Sequence, residues 1–296
     1  MNEILAELVG AKKRYGRIVA LDGLDLQVRE CELLALLGPN GAGKTTAIAM
    51  LLGLQVPGAG KALLFGKPAQ NVDARRRIGV MLQSLGLPGE LRVRELIDLF
   101  SSYYDNPYTP AETMEITRTT AIGERHYDKL SGGQKRQAQF ALAVCGRPKL
   151  LFLDEPTVGL DIQARELMWV TLRELVARGC SIVLTTHYLE EAEALADRVV
   201  VIDKGRMIAS GSMREMRNLV SRKRIQCTSS VNADAVREWP GVASVTADDG
   251  ALQIIATDAE SVVRRLLDAD GALGELEVRR AGLAEVFVEL VQKEAA

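Results

Sequence analysis

Histidine, paired cysteine and long apolar runs are scarce in this sequence, and each shortage excludes something. Only two histidines, His126 and His187, occur in 296 residues, so a histidine-based metal centre is not expected. The four cysteines, Cys31, Cys145, Cys180 and Cys227, form no CxxC pair and have no histidine at ligand spacing, so they read as buried thiols. A metal, if one is used, should therefore sit among oxygen ligands. Apolar runs such as Leu33 to Leu37 fall far short of the ~20 residues that a membrane-spanning helix needs. The opening MNEILAEL is acidic and lacks the basic start and small-residue cleavage site of a secretory signal, so a cytoplasmic location is expected. An excess of positive charge is also lacking: 37 Lys and Arg stand against 39 Asp and Glu, a net charge of -2. No nucleic-acid partner is expected, and attachment to a membrane should run through a partner protein.

What is present is a globular composition, 47% hydrophobic and 26% charged, at a length that fits one large domain and a smaller one. From Ile4 to Gly211 short β-rich runs alternate with longer amphipathic segments, the pattern of an α/β domain, which is expected to span residues 1–220. Buried strands are expected at Leu33 to Leu37, Leu150 to Asp154 and Ser181 to Thr186. Between about residues 85 and 147 the spacing of Val93, Leu96, Ile97 and Phe100 predicts a helical insert. The basic cluster Ser221 to Arg224 reads as a solvated linker. Residues 221–296 then give the order βαββαβα, a small ferredoxin-like α+β domain. Its signals are strands at Ile225 to Ser229, Val242 to Ala247 and Leu252 to Ala256, with a hairpin turn at Asp249-Gly250. A capping box at Thr257 and Glu260 follows, then a strand near Leu276 to Val278 and a last helix bearing Leu283, Val286, Phe287, Leu290 and Val291.

Chemistry concentrates in two places. The segment Gly38, Pro39, Asn40, Gly41, Ala42, Gly43, Lys44, Thr45, Thr46 matches G-x-x-x-x-G-K-[ST] between a strand and a helical run. Glycines let the backbone curl until successive N–H groups point inward, and the helix N-terminus adds positive potential where phosphate oxygens sit. Lys44 is placed to bridge the β- and γ-phosphates and the Thr45 hydroxyl to ligate Mg²⁺. The second place is LLFLDEP, Leu150 to Pro156, an apolar strand ending in two carboxylates. Neighbouring strand residues face opposite ways, which suits Asp154 to holding Mg²⁺ and Glu155 to polarising the attacking water.

A third element, LSGGQ at Leu130 to Gln134, lies between them and is followed by a helical run. In that order, from Leu8 to Gly211, the motifs closely resemble those of ABC transporter ATPases. The resemblance implies a P-loop NTPase of ABC type, with a mixed sheet core, an N-terminal antiparallel β part and a helical subdomain. It also implies a head-to-tail dimer in which Ser131, Gly132, Gly133 and Gln134 of one copy close over ATP held by the other. Tyr15 resembles the aromatic that stacks on adenine. Gln83 resembles the glutamine that reaches Mg²⁺ and the attacking water and senses the transmembrane partner. Asp161 resembles the aspartate that runs along the dimer interface, and it is also placed to cap a helix. His187 resembles the switch histidine on the γ-phosphate. The implied protein is a Mg²⁺-dependent ATPase, peripheral on the inner face of the cell membrane, driving a separate polytopic permease. The C-terminal unit resembles the extension of exporter cassettes, which tilts the expectation toward export. The alternative is a soluble ABC ATPase acting on nucleic acid or ribosomes, which the near-neutral charge and single cassette disfavour.

Overall fold

The computed structural model describes residues 3–83, 86–186, 188–218, 223–248 and 251–280. The chain divides into two compact units, residues 1–212 and 213–296.

The first unit opens with β1 (Ile4–Tyr15), β2 (Ile18–Arg29), β3 (Leu33–Leu37), α1 (Lys44–Leu51), β4 (Ala59–Leu64), β5 (Lys67–Pro68), α2 (Val72–Arg75) and β6 (Ile78–Met81). A helical insert follows, with α3 (Val93–Ser101), α4 (Pro110–Ile116) and α5 (Gly132–Val144). The unit then closes through β7 (Leu150–Asp154), α6 (Ile162–Ala177), β8 (Ser181–Thr185), α7 (Leu189–Leu195), β9 (Arg198–Asp203) and β10 (Arg206–Gly211).

Two sheets organise it. β2, β1, β4 and β5 form an antiparallel sheet in that order, and their inward residues, among them Leu8, Leu21, Leu24 and Leu26, pack with Ala47, Ile48 and Leu51 of α1. The second sheet runs β10-β9-β3-β8-β7-β6, parallel except for β10. Every residue of β3 and β8 is buried, as central strands covered on both faces require. The register sets the ends of the strands level: Leu36 of β3 and Asp154 of β7 both pair with Thr185 of β8, and Met81 of β6 pairs with Leu153. The segments that leave β3, β6, β7 and β8 therefore emerge on one edge of the sheet.

The insert has a core of its own. Val93, Leu96 and Ile97 of α3 meet Met114 of α4 and Ala138, Ala141 and Leu142 of α5, with Tyr127 and Leu130 between them.

In the second unit, α8 (Met213–Asn218) precedes β11 (Lys223–Thr228), α9 (Ala233–Arg237), β12 (Val242–Asp248), β13 (Ala251–Ala256), α10 (Ala259–Ala269) and β14 (Gly274–Arg280). The antiparallel sheet runs β12-β13-β11-β14, the strand order of a ferredoxin-like βαββαβ unit. Ile225, Cys227 and Ile254 from the sheet pack on Val236 of α9 and on Val262 and Leu266 of α10.

Three sequence expectations change here. Lys223 and Arg224 begin β11 instead of ending a linker, and the Lys223 ammonium pairs with Glu260. With Glu260 drawn away, α10 is capped by Asp258, not Thr257: the Asp258 carboxylate accepts from the Ser261 N–H at 3.1 Å and its hydroxyl at 2.7 Å. Thr257 instead donates its amide to the Gly241 carbonyl at 2.7 Å. Cys31 is exposed in the turn before β3, whereas Cys145, Cys180 and Cys227 are buried, and burial pushes the Cys180 thiol up to about 12. The turn at Asp249-Gly250, the last helix and His187 lie outside the described residues. Among the described residues no helix is long and apolar enough to cross a membrane.

Candidate functional site

The phosphate loop is built from the end of β3 to the start of α1. Gly43, the residue before α1, is in the left-handed region at φ 106°, and no side chain caps the helix. The first amides of α1 are thus free of a side-chain acceptor, which is the condition for binding an anion there. Glycine is required for space as well as for torsion. A Cβ on Gly43 would stand 2.4 Å from the Ala20 carbonyl oxygen, and one on Gly38 would stand 2.3 Å from that of Ile202. Replacing Gly43 by alanine is expected to cost about 1–3 kcal/mol through backbone strain and overpacking. An unchanged denaturation midpoint for Gly43→Ala would contradict this account of the loop.

Lys44 arches back over the loop, donating to the carbonyls of Gly38 at 2.7 Å and Pro39 at 3.1 Å. Burial pulls its ammonium below the usual lysine range, against the opposing pull of the Glu155 and Asp154 carboxylates. A cavity of about 340 Å³ opens beside it, lined by Ile18, Ala20, residues 40–46, Gln83, Asp154 and Glu155. Residues 40–46, Gln83 and the Asp154–Glu155 pair meet here because β3, β6 and β7 end level, and Ile18 and Ala20 of β2 join them from the other sheet.

The two carboxylates do not face opposite ways, as strand alternation predicts; both line the cavity. The reason is local. Glu155 leaves β7 in the left-handed region at φ 50°, which ends the pleat at Asp154, and its amide donates to the Thr185 carbonyl at 3.0 Å. Asp154 accepts a short hydrogen bond from the Thr185 hydroxyl, and Glu155 accepts from Gln83 Nε2 at 3.0 Å.

The other sequence-predicted residues lie apart from this cavity's lining. Tyr15 is exposed at the end of β1, opposite Ile18 of β2, with the Lys13 ammonium 5.6 Å from its ring centroid. Ser131 caps α5, accepting from the Gln134 N–H at 3.2 Å while its own amide donates to Gln134 Oε1 at 3.2 Å. Gly132 is exposed, and a Cβ there would meet nothing within 4 Å. A Cβ on Gly133 would lie 3.4 Å from the Gly159 carbonyl, which puts this helix start beside the loop leading to Asp161. Asp161 caps α6, accepting from the Ala164 N–H at 2.8 Å.

Sequence reasoning missed Arg136, which is buried in α5 and donates to the backbone carbonyls of Leu82, Gln83, Asp154 and Glu155. The signal was its helical register. Arg136 shares a face with buried Phe140 and Val144 at i+4 and i+8, and an arginine in a core stripe needs buried acceptors.

Comparison with known proteins agrees with this architecture. Residues 21–158 match the ABC transporter family model, and residues 211–291 match the C-terminal domain of DrrA1-3-like ATP-binding proteins. The chain is 42% identical over 219 residues to the Nod factor export ATP-binding protein I of Rhizobium sp. (strain N33), covering 72% of each. It is 45% identical over 208 residues to the protein of that name from Burkholderia orbicola (strain AU 1054), covering 68% of each. Among solved structures, an ATP-binding subunit of an ABC transporter superposes with a TM-score of 0.67 at 28% identity, over 73% of this chain and 92% of that one. A dimeric bacterial ABC transporter cassette shares the fold, with a TM-score of 0.64 at 22% identity over 70% and 98% of the two chains. With the phosphate loop, the acidic strand end and the LSGGQ helix start in one cassette fold, this chain belongs to the ATP-binding, ATP-hydrolysing subunits of ABC transporters.

Proposed function

We propose that this cassette binds Mg²⁺-ATP in the cavity beside Lys44, closes on a second copy of itself, and drives export through a separately encoded permease at the inner face of the cell membrane. The observation that carries the proposal is the convergence of residues 40–46, Gln83, Asp154 and Glu155 on one cavity. The loop amides and Lys44 hold the phosphates. Thr45, Gln83 and Asp154 offer only oxygen donors toward a metal, the set that a small hard cation takes, and bound Mg²⁺ would neutralise charge on the phosphates. Glu155 polarises the attacking water, and Gln83, hydrogen-bonded to it at 3.0 Å, holds its carboxylate in place.

Two of the remaining roles require the second copy: Ser131, Gly132, Gly133 and Gln134 present a helix start whose amides and hydroxyl face the γ-phosphate held by the partner, with Asp161 alongside. His187 contacts the γ-phosphate as the switch histidine. Tyr15 supplies the adenine platform from an exposed position. An open apolar groove of about 510 Å³, lined by Leu54, Val80, Leu82, Phe100 and Tyr103 among others, supports docking of the permease. Leu82 in its wall precedes Gln83, so a segment seated there would bear on the residue that holds Glu155. Export follows the relatives named for it.

The metal assignment has a direct test. The purified chain should hydrolyse ATP with Mg²⁺ and lose turnover when EDTA is in excess, regaining it on Mg²⁺ addition. Turnover indifferent to chelation would contradict it.

A further inference from the structure

The Arg136 guanidinium occupies a position that the functions assigned above leave unused. It is 8% exposed, in the second turn of the helix that Ser131 caps. One end nitrogen donates to the carbonyls of Leu82 at 2.9 Å and Gln83 at 3.2 Å, and to Gln139 Oε1 at 3.1 Å. The other donates to the carbonyls of Asp154 at 2.8 Å and Glu155 at 2.6 Å. Those four carbonyls belong to the two residue pairs at the ends of β6 and β7, where each chain leaves its strand. A single planar fork thus spans the gap between two loops, and the Gln83–Glu155 side-chain contact crosses the same gap at 3.0 Å.

We propose that Arg136 is a positioning residue: it sets Gln83 and Glu155 against each other and ties the pair to the helix that carries Ser131 to Gln134. Displacement of that helix start, as when a second copy's nucleotide seats on it, is passed through five residues of rigid helix to the backbone of the catalytic carboxylate. Glu155 is the member most open to such control, because its left-handed backbone is held by neighbours and not by its own preference. The inference rests on the proposed role of Glu155 as the group that polarises water.

The test substitutes lysine, which keeps the charge and much of the stem but cannot span four carbonyls from a point-like ammonium. Arg136→Lys in the full chain is expected to lower kcat by roughly 10–100-fold, the scale of a misplaced reacting group, with ATP affinity changed by less than about threefold. In a Glu155→Gln background the same substitution should change the residual single-turnover rate by less than about twofold, since the group it positions is already gone. Weaker ATP binding and a lower unfolding midpoint with kcat unchanged would show a structural role only and overturn the proposal. An equal loss of rate in both backgrounds would overturn it too, because Arg136 would then act independently of Glu155. If the lysine variant does not fold, Arg136→Gln, read by the same rates, decides in its place. The single variant Glu155→Gln separately tests the role on which the inference rests.

Discussion

Glu155→Gln is expected to lower ATP turnover by ~10²–10⁴-fold while nucleotide stays bound. The amide has the shape of the carboxylate, so the left-handed turn at the end of β7 and the amide bond to Thr185 need not change. What is lost, on the proposed role, is the charge that polarises water, while the amide oxygen can still accept from Gln83 Nε2. Binding should persist because the loop amides, Lys44 and Thr45, which line the same cavity, are untouched. Single-turnover hydrolysis and a separate nucleotide titration check the two halves. Near-normal hydrolysis would remove Glu155 from the chemistry.

The second large effect is expected at Lys44. Its ammonium is half-buried and donates to two backbone carbonyls at the start of α1, where a bound phosphate would be its charged partner. Truncating one side of such a charged hydrogen-bonded pair costs about 2–5 kcal/mol. Lys44→Ala should therefore weaken ATP binding roughly thirtyfold or more and abolish turnover at ordinary ATP concentrations. The fold should survive, because the carbonyls of Gly38 and Pro39 that lose their donor are only partly buried and can turn to water. Calorimetric titration reads this directly, and an unchanged affinity would contradict the role given to Lys44.

Much of the site was legible because its chemistry is local in sequence. The glycines of residues 38–43, the lysine at the helix start and the carboxylates after an apolar strand each carry a physical requirement that spacing exposes. The buried strands were legible for the same reason: β3, β7 and β8 are short apolar runs bounded by turn residues. What remained hidden depends on geometry across the chain. That Glu155 turns into the same cavity as Asp154 follows from a left-handed backbone held by Thr185, 30 residues away. Arg136 gave only a weak sign, since its four backbone acceptors lie 18 to 54 positions distant. The shift of the α10 cap from Thr257 to Asp258 likewise depends on Lys223 drawing off Glu260. Ser131 and Asp161 were legible as helix caps, and a residue that caps a helix also marks where the helix presents its free amides.

Two copies of this chain are proposed to close over ATP, and the mass of the Glu155→Gln variant reads that closure. With hydrolysis blocked and binding intact, the closed state should accumulate. Light scattering after size exclusion in saturating ATP and Mg²⁺ should give about twice the 32.2 kDa of one chain, and the single-chain mass once nucleotide is withdrawn. A mass that stays at 32.2 kDa while titration shows the variant saturated with ATP would rule out the closed pair.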